Sequence, residues 1–267
     1  MRIKVTLEGD LLPIDYRNHF MSFIKEALKA TDFGKEYFKK IYQYEEEGEI
    51  KNNKAGKPFC FAVRFLHDKE EFKKDKDVLY IKSPIELYIS SVDYEFLINL
   101  YNGLLSKKLY PFKMGLGGIS KRNNIILLRE RKIKEDKVIF KTLSPILIED
   151  KNDKPLLPID VENNQPLPEE SEEFVYFLKE LNYISDSILK SIRGQGLKIG
   201  LKFKPLKVRK EVVKHRVREK NIEPKLYTFT CFSGTFELSG DSEDLNWLYQ
   251  LGIGLRRAQG FGMVEVV

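Results

Sequence analysis

The sequence has little cysteine and little histidine for its length. Its 267 residues include two cysteines, Cys60 and Cys231, and three histidines, His19, His67 and His215. No CxxC or Cys/His spacing occurs, which excludes the common zinc motifs. The histidines form no triad-like pattern with Cys, Ser or carboxylates, and acidic residues lack the defined spacing of a metal-dependent nuclease. We therefore expect neither a metal nor a cofactor.

Long apolar runs are also missing. No segment approaches the roughly 18 apolar residues that a membrane span requires. The opening residues MRIKVTLEGD alternate as in a strand and lack the apolar centre of a signal peptide. The composition, 42% hydrophobic and 32% charged, is typical of globular chains. Two cysteines in apolar, strand-like runs suit a reducing compartment. These features predict a cytoplasmic protein without a membrane partner.

The order of apolar patterns predicts an α+β fold of two tandem ferredoxin-like (βαββαβ, RRM-like) domains. The first half reads as an N-terminal strand, a helix over YRNHFMSFIKEALKAT, strands at FCFAVRF and VLYIKS, a helix over DYEFLINLYNGLLSK and a strand at NIILLRERKI. The second half repeats this order from KVIFKTLSPI to the final strand FGMVEVV. We place the boundary to give domains 1–133 and 134–267. In the second helix of the first half, one face is expected to carry Phe96, Leu97, Leu100, Leu104 and Leu105.

A net charge of +6 favours a polyanionic partner such as nucleic acid. Between residues 202 and 220, nine of nineteen residues are Lys or Arg, in a stretch that joins two strands. The run GLKIGLKFKPLKVRK is expected to be the first of these strands, with a polar, basic connection after it. Such a stretch attracts a phosphate backbone. A solvated hairpin, with His215 as an inert surface residue, is the alternative. The candidate contacts are Lys204, Lys207, Arg209, Lys210, Lys214 and His215.

The C-terminal stretch GIGLRRAQGFGMVEVV is rich in glycine and carries two arginines. Backbone N–H groups of such a loop can face phosphate, and arginines can neutralise it. The loop follows a helix and precedes a strand, which is the reverse of the Rossmann and P-loop order. The alternative is a tight helix-to-strand connection. The candidate RNA-binding residues here are Gly252, Gly254, Arg256, Arg257, Gln259, Gly260, Phe261 and Gly262.

Three stretches together resemble the CRISPR-associated endoribonucleases that process repeat transcripts, within the superfamily of repeat-associated RNA-binding proteins. They are GIGLRRAQGFGMVEV, KTLSPILI and MRIKVTLEG. The resemblance implies two ferredoxin-like domains and metal-independent cleavage of CRISPR repeat RNA (pre-crRNA) into guide crRNAs. In that reaction the 2′-hydroxyl attacks the phosphorus, leaving 2′,3′-cyclic phosphate and 5′-hydroxyl ends. It also implies protein partners, namely subunits of a CRISPR effector complex and a second copy of the chain.

The chain departs from this family at the catalytic histidine that many members carry shortly after the first helix. That position falls near Lys39 or Lys40 here. The tyrosine that some members carry on the first helix falls near Lys25, and a lysine after the helix falls near Lys51 or Lys54. The candidate catalytic residues are Lys25, Tyr37, Lys39, Lys40 and Lys51.

Three functional hypotheses follow. In the first, the chain is an active nuclease in which lysine and tyrosine replace histidine. In the second, it binds repeat RNA without cutting it. In the third, it is a structural subunit of an effector complex. His19, at the start of the first helix, is a lesser catalytic candidate, with a packing role as the alternative.

Overall fold

The computed structural model describes residues 1–9, 11–46, 48–53, 55–65, 73–75, 78–81, 84–106, 109–111, 118–217 and 225–267. Lys54 and His67, which the sequence interpretation used, lie outside these ranges. None of the helices in the described part of the chain is long and apolar enough to cross a bilayer.

The N-terminal half is built around one five-stranded antiparallel sheet. Its elements are β1 (Arg2–Glu8), β2 (Leu11–Pro13), α1 (Tyr16–Leu28), α2 (Asp32–Tyr42), β3 (Gln43–Glu46), β4 (Glu49–Asn52), β5 (Phe59–Phe65), β6 (Lys73–Asp75), β7 (Val78–Tyr80), β8 (Ile85–Ser91), α3 (Tyr94–Ser106), β9 (Leu109–Pro111) and β10 (Gly118–Leu128). The sheet order is β5-β8-β1-β10-β9, so the four long strands follow the ferredoxin-like arrangement. Helices α1 and α3 supply the apolar residues of the core with the sheet.

The expectation that VLYIKS forms a strand of the main sheet is wrong. Val78–Tyr80 pairs with β2 and β6 in a small separate sheet, and the main-sheet strand is β8, which the sequence interpretation missed. Strand β8 is buried along nearly its whole length. Its two faces are covered by the helices and by the C-terminal half, so it lacks the polar–apolar alternation that marks a half-buried strand.

The apolar faces of the two long N-terminal helices match the sequence pattern in all but one position. The α1 residues Phe20, Phe23, Ile24, Ala27 and Leu28 are all buried. On α3 the predicted face is buried except for Leu105, which is 53% exposed. Because successive residues are turned by about 100° around a helix, Leu105 lies beside the stripe that ends at Leu104.

The C-terminal half repeats the arrangement. Its elements are β11 (Lys137–Thr142), β12 (Ile159–Asp160), β13 (Gln165–Pro166), α4 (Glu172–Arg193), β14 (Lys202–Val217), β15 (Lys225–Ser239), α5 (Ser242–Leu251) and β16 (Val264–Val266). The sheet order β14-β15-β11-β16 is again ferredoxin-like. The α+β prediction with two such units is therefore confirmed. We propose the segment between β10 and β11 as the division between domains.

The basic stretch at 202–217 is a strand. The predicted strand is thus confirmed over 202–210, whereas the prediction of a connection is wrong for 211–217, where the strand continues. Strand β14 pairs with β15 from Lys202↔Ser239 to Val217↔Lys225. Buried Phe203, Val208 and Val213 anchor a strand whose other residues are mostly exposed lysine and arginine. The pairing and the exposed cations agree with the alternative of a solvated hairpin, because an exposed strand face accepts polar residues.

The two halves are joined by buried polar contacts. Arg2 is 1% exposed, donates from Nη2 to the Val264 carbonyl at 2.7 Å, and forms an ion pair through Nη1 with Glu265 at 3.0 Å. Its guanidinium also stacks 3.7 Å from the Tyr249 ring centroid. Cys60 of β5 packs against Met263 nearby. These contacts fix the N-terminal sheet against the end of the chain.

Candidate functional site

The glycine-rich loop between α5 and β16 is tightly folded. All four of its predicted glycines have positive φ, from 72° at Gly262 to 88° at Gly260, and are buried. A Cβ atom at Gly262 would lie 2.1 Å from the Ile253 carbonyl oxygen, and one at Gly260 would lie 2.9 Å from the Phe61 ring. Glycine is therefore required by both the backbone conformation and the lack of space. Gly252 and Gly254 share the same constraint.

Backbone hydrogen bonds tie this loop to the segment that follows β11. The N–H groups of Leu255 and Gly262 donate to the carbonyls of Leu147 and Pro145 at 2.9 and 2.8 Å. Met263 N–H donates to Ser144 Oγ at 2.9 Å. The stretches KTLSPILI and GIGLRRAQGFGMVEV thus bind one another. Because these N–H groups are occupied, the expectation that they face phosphate is wrong for them.

The two arginines of the loop differ in position. Arg257 is 6% exposed and donates from Nη1 to the Leu251 carbonyl at 2.9 Å, and burial lowers its pKa to about 10. Its guanidinium fastens the C-terminal end of α5. Arg256 is half-buried, and its guanidinium carbon lies 4.4 Å from the Phe229 ring centroid. Of the two, only Arg256 keeps a side chain within reach of a ligand.

His215 and Phe261 lie in a small core beneath the loop. Phe261 is fully buried and His215 is 3% exposed, with ring centroids 6.0 Å apart. Burial, then the charges of Arg256 and Arg17, lower the pKa of His215 to about 4. The predictions of His215 as an RNA contact or a surface residue, and of Phe261 as an RNA-facing ring, are therefore wrong.

Two further parts of this surface remain open to a ligand. Gln259 is half-buried and accepts from Arg256 at 3.3 Å. Arg17 of α1, which the sequence interpretation missed, donates from Nε to the Gly260 carbonyl at 3.2 Å and is also half-buried. The predicted hairpin cations are exposed and form no ion pair with the described residues. They are Lys204, Lys207, Arg209, Lys210 and Lys214.

A cluster of two lysines and a tyrosine lies in the N-terminal half. Lys25 of α1 has its Nζ 4.8 Å from the ring centroid of Tyr42, the last residue of α2. Lys57, just before β5, has its Nζ 5.1 Å from the same centroid. All three are half-buried. We call Lys25, Tyr42 and Lys57 the lysine–tyrosine cluster.

Proton affinities in the lysine–tyrosine cluster are shifted. Burial, and then the charge of Lys29, lower the pKa of Lys25. Burial, and then the charge of Lys25, lower the pKa of Lys57. Burial raises the pKa of Tyr42, so its phenol stays protonated. The lysines are brought closer to proton exchange at neutral pH, which is the property a general acid–base pair needs.

The segment carrying Lys57 links the lysine–tyrosine cluster to the glycine-rich loop. Asn53 N–H donates to the Tyr42 carbonyl at 2.8 Å, and Lys57 Nζ donates to the Asn53 carbonyl at 2.8 Å. A Cβ atom at Gly56 would lie 3.4 Å from Arg257 Nη2. Lys57 therefore lies one residue from a position that contacts Arg257 of the glycine-rich loop, which places the shifted lysines beside the junction of the two halves.

The C-terminal part of the chain matches a known protein family. The family model for CRISPR associated protein Cas6, C-terminal, matches residues 128–266, more than half of the chain. The chain belongs to the Cas6 family. The CRISPR-associated endoribonuclease Cas6 1 of Methanocaldococcus jannaschii is 24% identical over 99% of this chain and 92% of its own length.

Solved structures related to the Cas6 family share the fold. A structure described as a Cas6-related gene product of Pyrococcus furiosus has a TM-score of 0.73 at 21% identity, covering 100% of this chain and 98% of the other. A structure described as a RAMP protein binding different RNA substrates has a TM-score of 0.68 at 20% identity, covering 100% and 99%. At these identities the likeness supports the tandem ferredoxin-like architecture.

Only one of the predicted catalytic residues of this Cas6-family chain lies in the lysine–tyrosine cluster. Lys25 does, but Lys40 pairs with Glu95 at 2.9 Å on the exposed side of α2. Lys51 pairs with Glu46 at 2.7 Å across the β3–β4 hairpin. The remaining two candidates lie elsewhere on α2.

Lys39 is exposed, whereas Tyr37 is buried and donates its hydroxyl to Asp93 at 2.6 Å. Tyr42 stood among the tyrosines and lysines of this segment in the sequence, but nothing local distinguished it. Lys57 was missed because its proximity to Lys25 depends on the fold. His19 is half-buried on α1, and its catalytic role stays a prediction.

Proposed function

We propose that the chain is an endoribonuclease that cuts CRISPR repeat RNA without a metal ion and thereby produces guide crRNAs. Membership of the Cas6 family and the endoribonuclease name of the M. jannaschii relative support repeat RNA as the substrate. The observation that carries the chemistry is the lysine–tyrosine cluster beside the domain junction. A cytoplasmic location and contacts with effector-complex subunits or a second copy stay predictions.

We assign the first proton transfer to Lys25. Its pKa is lowered by burial and by a neighbouring cation, so a neutral amine is more accessible to it than to an exposed lysine. That amine takes the proton of the 2′-hydroxyl as its oxygen attacks the phosphorus. The bond from phosphorus to the 5′ oxygen then breaks, leaving a 2′,3′-cyclic phosphate.

Lys57 and Tyr42 complete the reaction in this proposal. The Lys57 ammonium neutralises charge on the phosphorane and returns a proton to the leaving 5′ oxygen. Tyr42 stays protonated, and its ring lies against both lysine ammonium groups and holds them near one another. Holding the nucleotide in line supplies the rest of the rate, because positioning alone can contribute about 7 kcal/mol or more.

The substrate path follows the exposed cations. Arg17 and Arg256 border the glycine-rich loop, and the β14 hairpin adds a row of lysines and arginines. Such a surface binds phosphates through charge without needing base contacts. The glycine-rich loop positions these groups and the lysine–tyrosine cluster by packing.

Incubating purified protein with repeat RNA in EDTA tests the proposal. A single cut, with a 2′,3′-cyclic phosphate on one product and a 5′-hydroxyl on the other, is the expected result. A 2′-deoxy nucleotide at the scissile position should block the cut, because the attacking oxygen is gone. Tight binding without cleavage would instead identify a repeat-RNA binder, and cleavage only with added metal would refute the assigned chemistry.

A further inference from the structure

We infer that Tyr37, Asp93 and Ser91 are positioning residues that set the distance between Tyr42 and Lys57, an inference that rests on the proposed function. They form one hydrogen-bonded chain between the two elements that carry these groups. None of the three touches the lysine–tyrosine cluster's reacting atoms in the described structure, so their effect is indirect.

One end of this hydrogen-bonded series holds α2. The Tyr37 hydroxyl donates to Asp93 Oδ2 at 2.6 Å, and Tyr37 is 2% exposed. Helix α2 ends five residues later at Tyr42, so a fixed Tyr37 fixes the height and rotation of the last turn. Burial and Asp93 raise the pKa of Tyr37, which keeps the phenol a donor.

The other end holds the segment that carries Lys57. Ser91 is fully buried, and its hydroxyl donates to the Pro58 carbonyl at 2.6 Å. Pro58 follows Lys57 directly and precedes β5. Pro58 has no N–H of its own, and its carbonyl accepts from the Ser91 hydroxyl.

The two ends meet between Ser91, the last residue of β8, and Asp93, which directly precedes α3. Asp93 N–H donates to Ser91 Oγ at 3.0 Å, and Asp93 Oδ1 accepts from Phe96 N–H at 3.1 Å, which caps α3. The Phe96 ring also stacks on Phe59 at 4.4 Å. Segment 91–93 is therefore anchored to α3 and β8, and it serves as a rigid spacer.

These hydrogen bonds are expected to matter for the alignment of Tyr42 with Lys57 as well as for stability. Tyr42 and Lys57 come from different elements. They are joined locally by the Asn53–Tyr42 backbone hydrogen bond and by two contacts of the Lys57 side chain, with the Asn53 carbonyl and with the Tyr42 ring. A loss of about 1 Å in alignment can cost about 100-fold in rate. Removing one hydroxyl of the spacer should thus slow the cut while leaving the phosphate-binding surface unchanged.

The test measures single-turnover cleavage and RNA affinity for Tyr37→Phe and Ser91→Ala. We expect each to slow cleavage about 10-fold with RNA affinity unchanged. Tyr176→Phe is the matched control, because it removes another tyrosine–aspartate hydrogen bond, from Tyr176 to Asp150 at 3.2 Å, remote from the lysine–tyrosine cluster. It should cleave at the wild-type rate.

A double-mutant cycle separates positioning from general stability. If Ser91 acts through Lys57, then adding Ser91→Ala to Lys57→Ala should lower the cleavage rate little further. The inference is overturned if Ser91→Ala lowers the cleavage rate by the same factor with and without Lys57→Ala. It is also overturned if Tyr37→Phe and Ser91→Ala both cleave at the wild-type rate. Tyr37→Phe keeps its ring and carries the test if Ser91→Ala does not fold. A wild-type protein that does not cut refutes the proposed function itself, and the inference with it.

Discussion

The glycine-rich loop and the lysine–tyrosine cluster lie near the same domain junction but use their residues in opposite ways. The loop is almost wholly buried, and its glycines, Arg257 and Phe261 serve packing. The cluster is half-exposed, and its lysines have shifted pKa values without a carboxylate partner among the described residues. The more conspicuous sequence motif thus builds the architecture, whereas dispersed lysines and a tyrosine provide reactive groups.

The largest expected effect tests the packing role of the loop. Gly262→Ala should destabilise the protein by about 3 kcal/mol or more, since positive φ alone costs about 1–2 kcal/mol and the new Cβ would overlap the Ile253 carbonyl. Gly48 is the control, because it also has positive φ but nothing within 4 Å of a Cβ. Denaturant unfolding should show a smaller loss of unfolding free energy for Gly48→Ala than for Gly262→Ala. Equal losses would contradict the packing argument.

His215 tests the same core through pH. Its pKa falls from 6.5 to about 4 in the folded protein, so the unfolded chain binds the extra proton between these values. Stability should be unaffected by this group above pH 6.5 and should fall by about 3 kcal/mol as the pH drops towards 4. In the His215→Gln variant the melting temperature should depend less on pH across that range. An unchanged acid slope in the variant would show that other groups dominate.

Substitutions in the lysine–tyrosine cluster test whether its lysines are the reactive groups. Lys25→Ala and Lys57→Ala should each slow single-turnover cleavage by about 100-fold, the typical contribution of acid–base catalysis, with little loss of stability. Lys39→Ala and Lys40→Ala, at the positions that alignment with the family pattern selected, should stay within about 3-fold of wild type. The reverse pattern would place the site on the exposed face of α2.

The smallest expected effect compares the two arginines of the loop. Arg256→Ala should weaken RNA binding and reduce the salt slope by about 0.7 per lost phosphate contact on a single strand. Arg257→Ala should lower the melting temperature, because it removes the hydrogen bond to the Leu251 carbonyl. Fluorescence titrations at several salt concentrations would measure both slopes. A reduced slope for Arg257→Ala in folded protein would mean that this arginine reaches the RNA.

Periodic patterns supported most of the fold prediction. The α1 positions from Phe20 to Leu28 are all buried, since a helix on a sheet needs one apolar face. Prediction failed at β8, where burial on both faces removed the alternation, and over 211–217 of β14, where the charged residues were interpreted as a connection. It also failed for His215, because an imidazole buried behind Phe261 has the same local sequence as one on the surface.

The sequence by itself determined the two ferredoxin-like units and the basic character, because these follow from local periodicity and composition. The tertiary structure decided which cations are reactive. Lys25 and Lys57 are separated along the chain and are brought together in the fold, where both contact the ring of Tyr42 at the end of α2. Burial and proximity shift a pKa, and both are properties of the folded arrangement.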